Sequence, residues 1–115
     1  MKYKFSTKVF GQEGIYGIEY DSLPNNEKAL FEINSHIWTS EEVQSMLDEI
    51  NSITTGNDFE YSVEGGHLLI VSDKEETHLF NLLNRSQKKA DIIWSTEKFI
   101  QFLKEFKEFL IREGK

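Results

Sequence analysis

The chain has 115 residues, no Cys, and a formal net charge of −7 from 20 acidic and 13 basic residues. This length predicts one domain, residues 1–115, that buries its own core, and the absence of Cys excludes disulfides and thiolate sites. The acidic balance opposes binding to nucleic acid or to anionic membranes, both of which require clustered cations.

The sequence also lacks long apolar runs. The first ten residues contain no apolar run of the signal-peptide type. Nowhere does the chain approach the roughly 18 consecutive apolar residues of a membrane span. We therefore expect a soluble protein of a reducing compartment, most simply the cytoplasm.

The first half predicts three strands followed by a helix. Alternating residues indicate strands at 2–10, 15–20 and 29–33. Thr39 is a candidate N-cap, with Glu42 three residues later as its capping-box partner. Apolar residues then recur at the spacing of a helix packed on one face: Val43, Met46, Leu47, Ile50 and Ile53.

The second half predicts four strands. Residues 59–63 alternate, and Gly65-Gly66 suits a tight hairpin. Residues 67–72 return with an unbroken apolar centre, so we expect a central strand covered on both faces or nearly so. A third strand is expected at 77–83 and a short one at 90–94.

A second amphipathic helix ends the chain. Ser95 or Thr96 supplies its N-cap. Its apolar stripe is wide and aromatic: Phe99, Phe102, Leu103, Phe106, Phe109 and Leu110. The predicted fold class is therefore α+β, with an antiparallel sheet of about six to seven strands and two helices.

The two halves correspond in part. Ile37-Trp38 and Ile93-Trp94 lie 56 residues apart, and each pair precedes a helix. This indicates an internal repeat of a β-β-β-(β)-α unit, residues 1–56 and 57–115. The alternative is that any two strand-to-helix junctions share the pattern of apolar, hydroxyl and Glu residues that capping produces. We expect both Trp residues to be buried, each in contact with its own following helix.

Catalytic signatures are missing from the sequence. Its three His residues have no metal-ligand spacing, no Ser lies in a GxSxG turn, and the glycines fit no phosphate-binding pattern. Glu76 and His78 could share one face of a strand, but two such side chains do not make a metal site. The sequence therefore predicts no enzyme, no cofactor and no metal.

One interval of the sequence is strongly acidic. Between Lys28 and Lys74 there are nine Asp and Glu residues and no Lys or Arg. Such a run favours a basic protein partner, although a solvated acidic surface is the alternative. The candidate partner-binding residues in this interval are Glu41, Glu42, Asp48, Glu49, Glu60 and Glu64.

The sequence resembles two bacterial families, one over part of its second half and the other over its whole length. Residues 61–71 followed by 94–99 resemble the hairpin and C-terminal helix of the small YacL-like proteins, which implies a housekeeping protein that is a homodimer through a sheet edge. The whole chain resembles, in size, acidity and lack of catalytic residues, the immunity proteins of contact-dependent growth inhibition and related polymorphic toxin systems. That resemblance implies a cytoplasmic, non-enzymatic monomer or weak homodimer that neutralises a cognate toxin, often a basic nuclease, by covering it.

Overall fold

The computed structural model describes residues 2–22, 33–53, 58–63, 68–82 and 90–115. Within them the chain forms six strands, two α-helices and a short 3-10 helix at Val9–Gly11. The strands are β1 Lys2–Ser6, β2 Gly17–Ser22, β3 Phe59–Ser62, β4 Leu68–Ser72, β5 Glu76–Asn81 and β6 Ile92–Ser95. The helices are α1 Ser40–Asn51 and α2 Thr96–Arg112.

The described strands form two antiparallel sheets. One contains β1 and β2, and the other has the order β3-β4-β5-β6. The α+β class with two helices is confirmed, whereas a single sheet of six to seven strands is not. The expected strand at 29–33 lies outside the described residues except for Ile33, and the Gly65-Gly66 turn also lies outside them. The internal repeat therefore stays a prediction.

Both helices begin where the capping rules place them. The Thr39 side chain accepts a hydrogen bond from the Glu42 backbone N–H at 3.1 Å, and Ser95 accepts one from the Lys98 N–H at 3.1 Å. Each bond satisfies a backbone donor that the first turn of a helix leaves without a partner. The N-cap at Thr39 is confirmed, and Ser95 caps the second helix.

The apolar stripes of the two helices meet the sheets in one core. Phe5 of β1 lies 5.2 Å from Phe106 of α2, ring centre to ring centre, and also contacts Phe102 and Phe109. This contact brings the two-stranded sheet against α2. The N-terminus of α1 lies beside the end of the chain, because the Ser40 N–H donates to the Lys115 carbonyl at 3.2 Å.

Trp38 and Trp94 are both buried, as expected. Trp94 contacts its own following helix through Phe102 at 5.8 Å. The ring contacts of Trp38 run to Phe106 of α2 at 5.4 Å and to Tyr61 of β3 at 6.0 Å. Because α1 contains no aromatic residue, the expected contact of Trp38 with α1 stays a prediction. Its indole N–H donates to the Ile33 carbonyl at 2.6 Å, so Trp38 joins α2, the larger sheet and the segment before α1.

The larger sheet is buried on one face. Strand β4 is central, but its side chains alternate: Leu68, Ile70 and Ser72 are buried, whereas Leu69 and Val71 are half-buried. The expected cover on both faces of β4 is therefore not confirmed. The consecutive apolar residues of this strand therefore lie alternately on a packed inner face and on a partly exposed outer face.

Candidate partner-binding surface

The outward face of α1 carries three of the acids predicted to bind a partner. The inward stripe of Val43, Met46, Leu47 and Ile50 is buried, as predicted. Because a helix has 3.6 residues per turn, this leaves the opposite face to solvent. The exposed residues of α1 are Glu41, Ser45, Asp48, Glu49 and Asn51.

Glu42 occupies a different environment from its neighbour Glu41. The Tyr61 hydroxyl of β3 donates a hydrogen bond to Glu42 Oε1 at 2.6 Å, and both side chains are half-buried. The Glu42 carboxylate thus connects the helix to the sheet. Because Oε1 already accepts a hydrogen bond from Tyr61, the Glu42 carboxylate is less available to a partner than an exposed carboxylate.

Asp48 lies beside a cation that the sequence alone did not reveal. Gln44 Nε2 donates to Asp48 Oδ1 at 2.8 Å, and Lys107 Nζ of α2 donates to Gln44 Oε1 at 2.6 Å. Lys107 is 63 residues away from Gln44 in the chain. The acidic run lacks basic residues in sequence, but α2 places one next to this part of its surface.

A second group of acids lies where α1 meets the edge strand β3. Glu49, Asp58 and Glu60 line one cleft of about 430 Å³ together with Ser52, Ile53 and Phe59. All three carboxylates belong to exposed residues. Asp58 was not among the predicted site residues, because its place in the acidic run did not distinguish it from other acids.

Glu49, Asp58 and Glu60 lie together at the cleft beside β3, whereas Asp48 lies on the side of α1 that faces Lys107 of α2. Within the described part of the chain, no ion pair involves Glu41, Glu42, Asp48, Glu49, Asp58 or Glu60. Their potentials therefore add over distances comparable with the Debye length of about 8 Å at physiological ionic strength. Glu64 lies outside the described residues.

Other candidate chemistry finds no support in the described residues. They contain no group of three His, Asp or Glu side chains that could hold a metal ion. His78 Nε2 lies 3.7 Å from Glu76 Oε1 on the same strand, and His36 is exposed. Trp94 is buried, and Lys98 Nζ lies 4.5 Å from the centre of its ring, so the ring does not form an open stacking platform.

Comparison of the chain with protein-family models, curated proteins and solved structures finds no match. None of the described helices is long and apolar enough to cross a membrane.

Proposed function

We propose that this chain is a cytoplasmic immunity protein, which binds and neutralises a basic toxin domain, such as a nuclease, by covering it. The observation that carries the proposal is the set of exposed acids on α1 and β3. Glu49, Asp58 and Glu60 share one cleft, and Glu41 and Asp48 continue the charge along α1. Carboxylates that form no ion pair with another described residue are available to the Lys and Arg residues of a partner.

Long-range attraction gives such a surface its first role. The chain carries a net charge of −7, and clustered acids guide a basic partner toward one face as it diffuses in. Steering of this kind raises association rates well above the roughly 10⁵–10⁶ M⁻¹s⁻¹ of uncharged partners. An immunity protein benefits because it must capture the toxin before the toxin reaches its target.

Short-range pairing gives the surface its second role. The cleft beside β3 is lined by Ile53 and Phe59 as well as by its three acidic residues. An Arg or Lys side chain can lay its aliphatic part against apolar lining and place its charged group among the acids. In this proposal the protein acts as a monomer that blocks the toxin and carries out no reaction.

The test is co-expression with the product of the gene adjacent to the one that encodes this chain. We expect the two proteins to purify as a complex, and we expect cells that make the adjacent product alone to stop growing. A reversed variant, Glu49→Lys with Glu60→Lys, should protect cells less well. Its matched control is Glu105→Lys with Glu113→Lys, because both doubles change the net charge from −7 to −3.

Two results would contradict the proposal. One is an adjacent product that folds but forms no complex with this chain. The other is a reversed variant that protects as well as the control does. A chain that instead sediments as a dimer and ignores the adjacent product would support the homodimer implied by the YacL-like resemblance.

A further inference from the structure

The larger sheet presents a second apolar surface, on the side away from its buried inner face. Along each strand most of the inner residues are buried, and the alternate residues point the other way. We call this second surface the outer face. Its central residues are Leu69, Val71, His78, Phe80 and Ile93.

The strand register makes these residues contiguous. Val71 of β4 lies opposite His78 of β5, and His78 lies opposite Ile93 of β6. In the next row Leu69 lies opposite Phe80, whose ring stacks on His78 at 6.4 Å. Cross-strand neighbours are about 5 Å apart, so the five side chains form one patch.

The patch is accessible, and apolar side chains surround His78 at its middle. Ile93 is 53% exposed, whereas Leu69, Val71 and Phe80 are half-buried. A half-covered antiparallel sheet normally turns polar side chains to water on its open side. Contiguous apolar side chains on the open face of a sheet are a candidate interaction surface.

The charges around the patch indicate what packs on it. Glu60 lies opposite Val71 at the β3 end, and Glu76 adjoins His78. Strands β3 to β6 contain no Lys or Arg. A second copy of the chain would bring carboxylates against carboxylates, whereas a basic protein would bring cations to them.

Glu60 also connects the outer face to the acidic surface. It lines the cleft with Glu49 and Asp58 and stands at the end of the row that contains Val71. A partner that reaches this cleft therefore also reaches the first residues of the patch. The two surfaces are continuous around β3.

We infer that the outer face is the apolar centre of the interface with the basic protein, and that the acids beside β3 form its charged rim. This inference rests on the proposed function. Aliphatic or aromatic side chains of the partner pack on Val71, Phe80 and Ile93, while its Lys and Arg residues pair with Glu60 and Glu76. Most of the affinity then comes from the patch, and most of the speed of association comes from the rim.

The experiment compares two variants in which an exposed Ile is replaced by uncharged Gln, so that the net charge stays the same. Ile93→Gln changes the outer face, and Ile111→Gln changes α2 at a residue that is 55% exposed, against 53% for Ile93. The probe is the purified product of the adjacent gene, and the readout is its dissociation constant and dissociation rate. We expect Ile93→Gln to weaken binding by about tenfold or more, mainly through faster dissociation, and Ile111→Gln to change it less than about twofold.

The possible outcomes separate this inference from the proposed function. If reversal of Glu49 and Glu60 weakens binding but Ile93→Gln does not, the function stands and the outer face is not part of the interface. If the probe does not bind the wild-type chain, both proposals fail. If sedimentation shows a dimer that Ile93→Gln dissociates, the occupant of the patch is a second copy, which overturns the inference.

Discussion

The Tyr61 hydroxyl donates a 2.6 Å hydrogen bond to Glu42 Oε1 and so ties β3 to the first turn of α1. An ionised acceptor makes such a bond shorter and stronger than a bond between neutral groups. The half-buried position of both side chains shields it partly from water. Glu42 therefore stabilises the fold, whereas exposed Glu41 beside it is available to a partner.

Removal of the phenolic hydroxyl tests this distinction. Tyr61→Phe should lower the free energy of unfolding by about 1–2 kcal/mol, because the carboxylate loses a donor that water only partly replaces. Glu41→Gln is the control, and we expect it to change stability by less than about 0.5 kcal/mol. Urea unfolding measures both variants. Equal stability of Tyr61→Phe and wild type would show that the bond contributes nothing.

Three buried hydroxyl groups form a directed chain beneath the β4–β5 turn. Thr96 Oγ1 donates to the Asp73 carbonyl at 2.8 Å, and Thr77 Oγ1 lies 3.1 Å from Thr96 Oγ1 and 2.8 Å from Ser72 Oγ. Each hydroxyl has one proton. Since Thr96 gives its proton to the carbonyl, Thr77 must donate to Thr96, and Ser72 to Thr77.

These hydrogen bonds predict that a second substitution, at Ser72, partly restores the stability lost by substitution of Thr77. Thr77→Val should cost about 1–3 kcal/mol, because it leaves the buried Ser72 hydroxyl without an acceptor. Adding Ser72→Ala should recover part of that loss, since the stranded donor is then gone. Denaturant unfolding of both single variants and the double variant measures the coupling. A double variant that is less stable than Thr77→Val alone would show that Thr77→Val does not leave the Ser72 hydroxyl unsatisfied.

Asp73 should make the stability of the same turn depend on pH. The backbone N–H groups of Glu76 and Glu75 both donate to Asp73 Oδ1 at 2.7 Å and hold the pKa of this carboxyl below its ordinary value of 3.8. Because the folded pKa is the lower one, the stabilisation is complete above the unfolded pKa. It is lost as the pH falls through the folded pKa.

Asp73→Asn keeps an oxygen acceptor but removes the charge. We expect the wild type to melt at a higher temperature than this variant at neutral pH. The difference should shrink below about pH 4, where the unfolded carboxyl becomes protonated. Thermal unfolding of both proteins between neutral pH and about pH 3 measures the difference in melting temperature. The contributions of the other acidic residues are common to both proteins and largely cancel in this difference. A difference that is independent of pH would contradict the account.

Phe106 provides the test of the shared core. It is fully buried and contacts Phe5, Trp38 and Phe102. Phe106→Ala should lower the free energy of unfolding by about 3–5 kcal/mol, the usual cost of an emptied aromatic site. Ile111→Ala, at an exposed position of the same helix, should cost less than about 1 kcal/mol. A loss below about 1 kcal/mol for Phe106→Ala would mean that the stripe does not form the core.

Local rules predicted the helices better than the sheets. The N-caps and apolar stripes depend on residues three or four apart, so Thr39 and the buried stripe of α1 could be identified from sequence. The division into two sheets depends on packing between distant segments, such as Phe5 on α2. A contact between residues about 100 positions apart, such as Phe5 and Phe106, leaves no short-range pattern in the sequence.

The same limit applies to the candidate site. Charge counting identified the acidic interval, but it could not distinguish Glu42, which bonds to Tyr61, from exposed Glu41. It also missed Lys107, which folding brings to Gln44, and gave no reason to select Asp58. Which acids are available to a partner depends on tertiary neighbours, and these are set by the fold.

The central claim is that the acids of α1 and β3 attract a basic partner, and the association rate tests it most directly. Stopped-flow mixing with the purified product of the adjacent gene gives this rate as the Debye length falls from about 10 Å to about 3 Å with added salt. We expect a steep fall for the wild type and for Glu105→Lys with Glu113→Lys. Glu49→Lys with Glu60→Lys should associate more slowly at low salt and depend less on salt. A rate indifferent to both salt and reversal of Glu49 and Glu60 would contradict the claim.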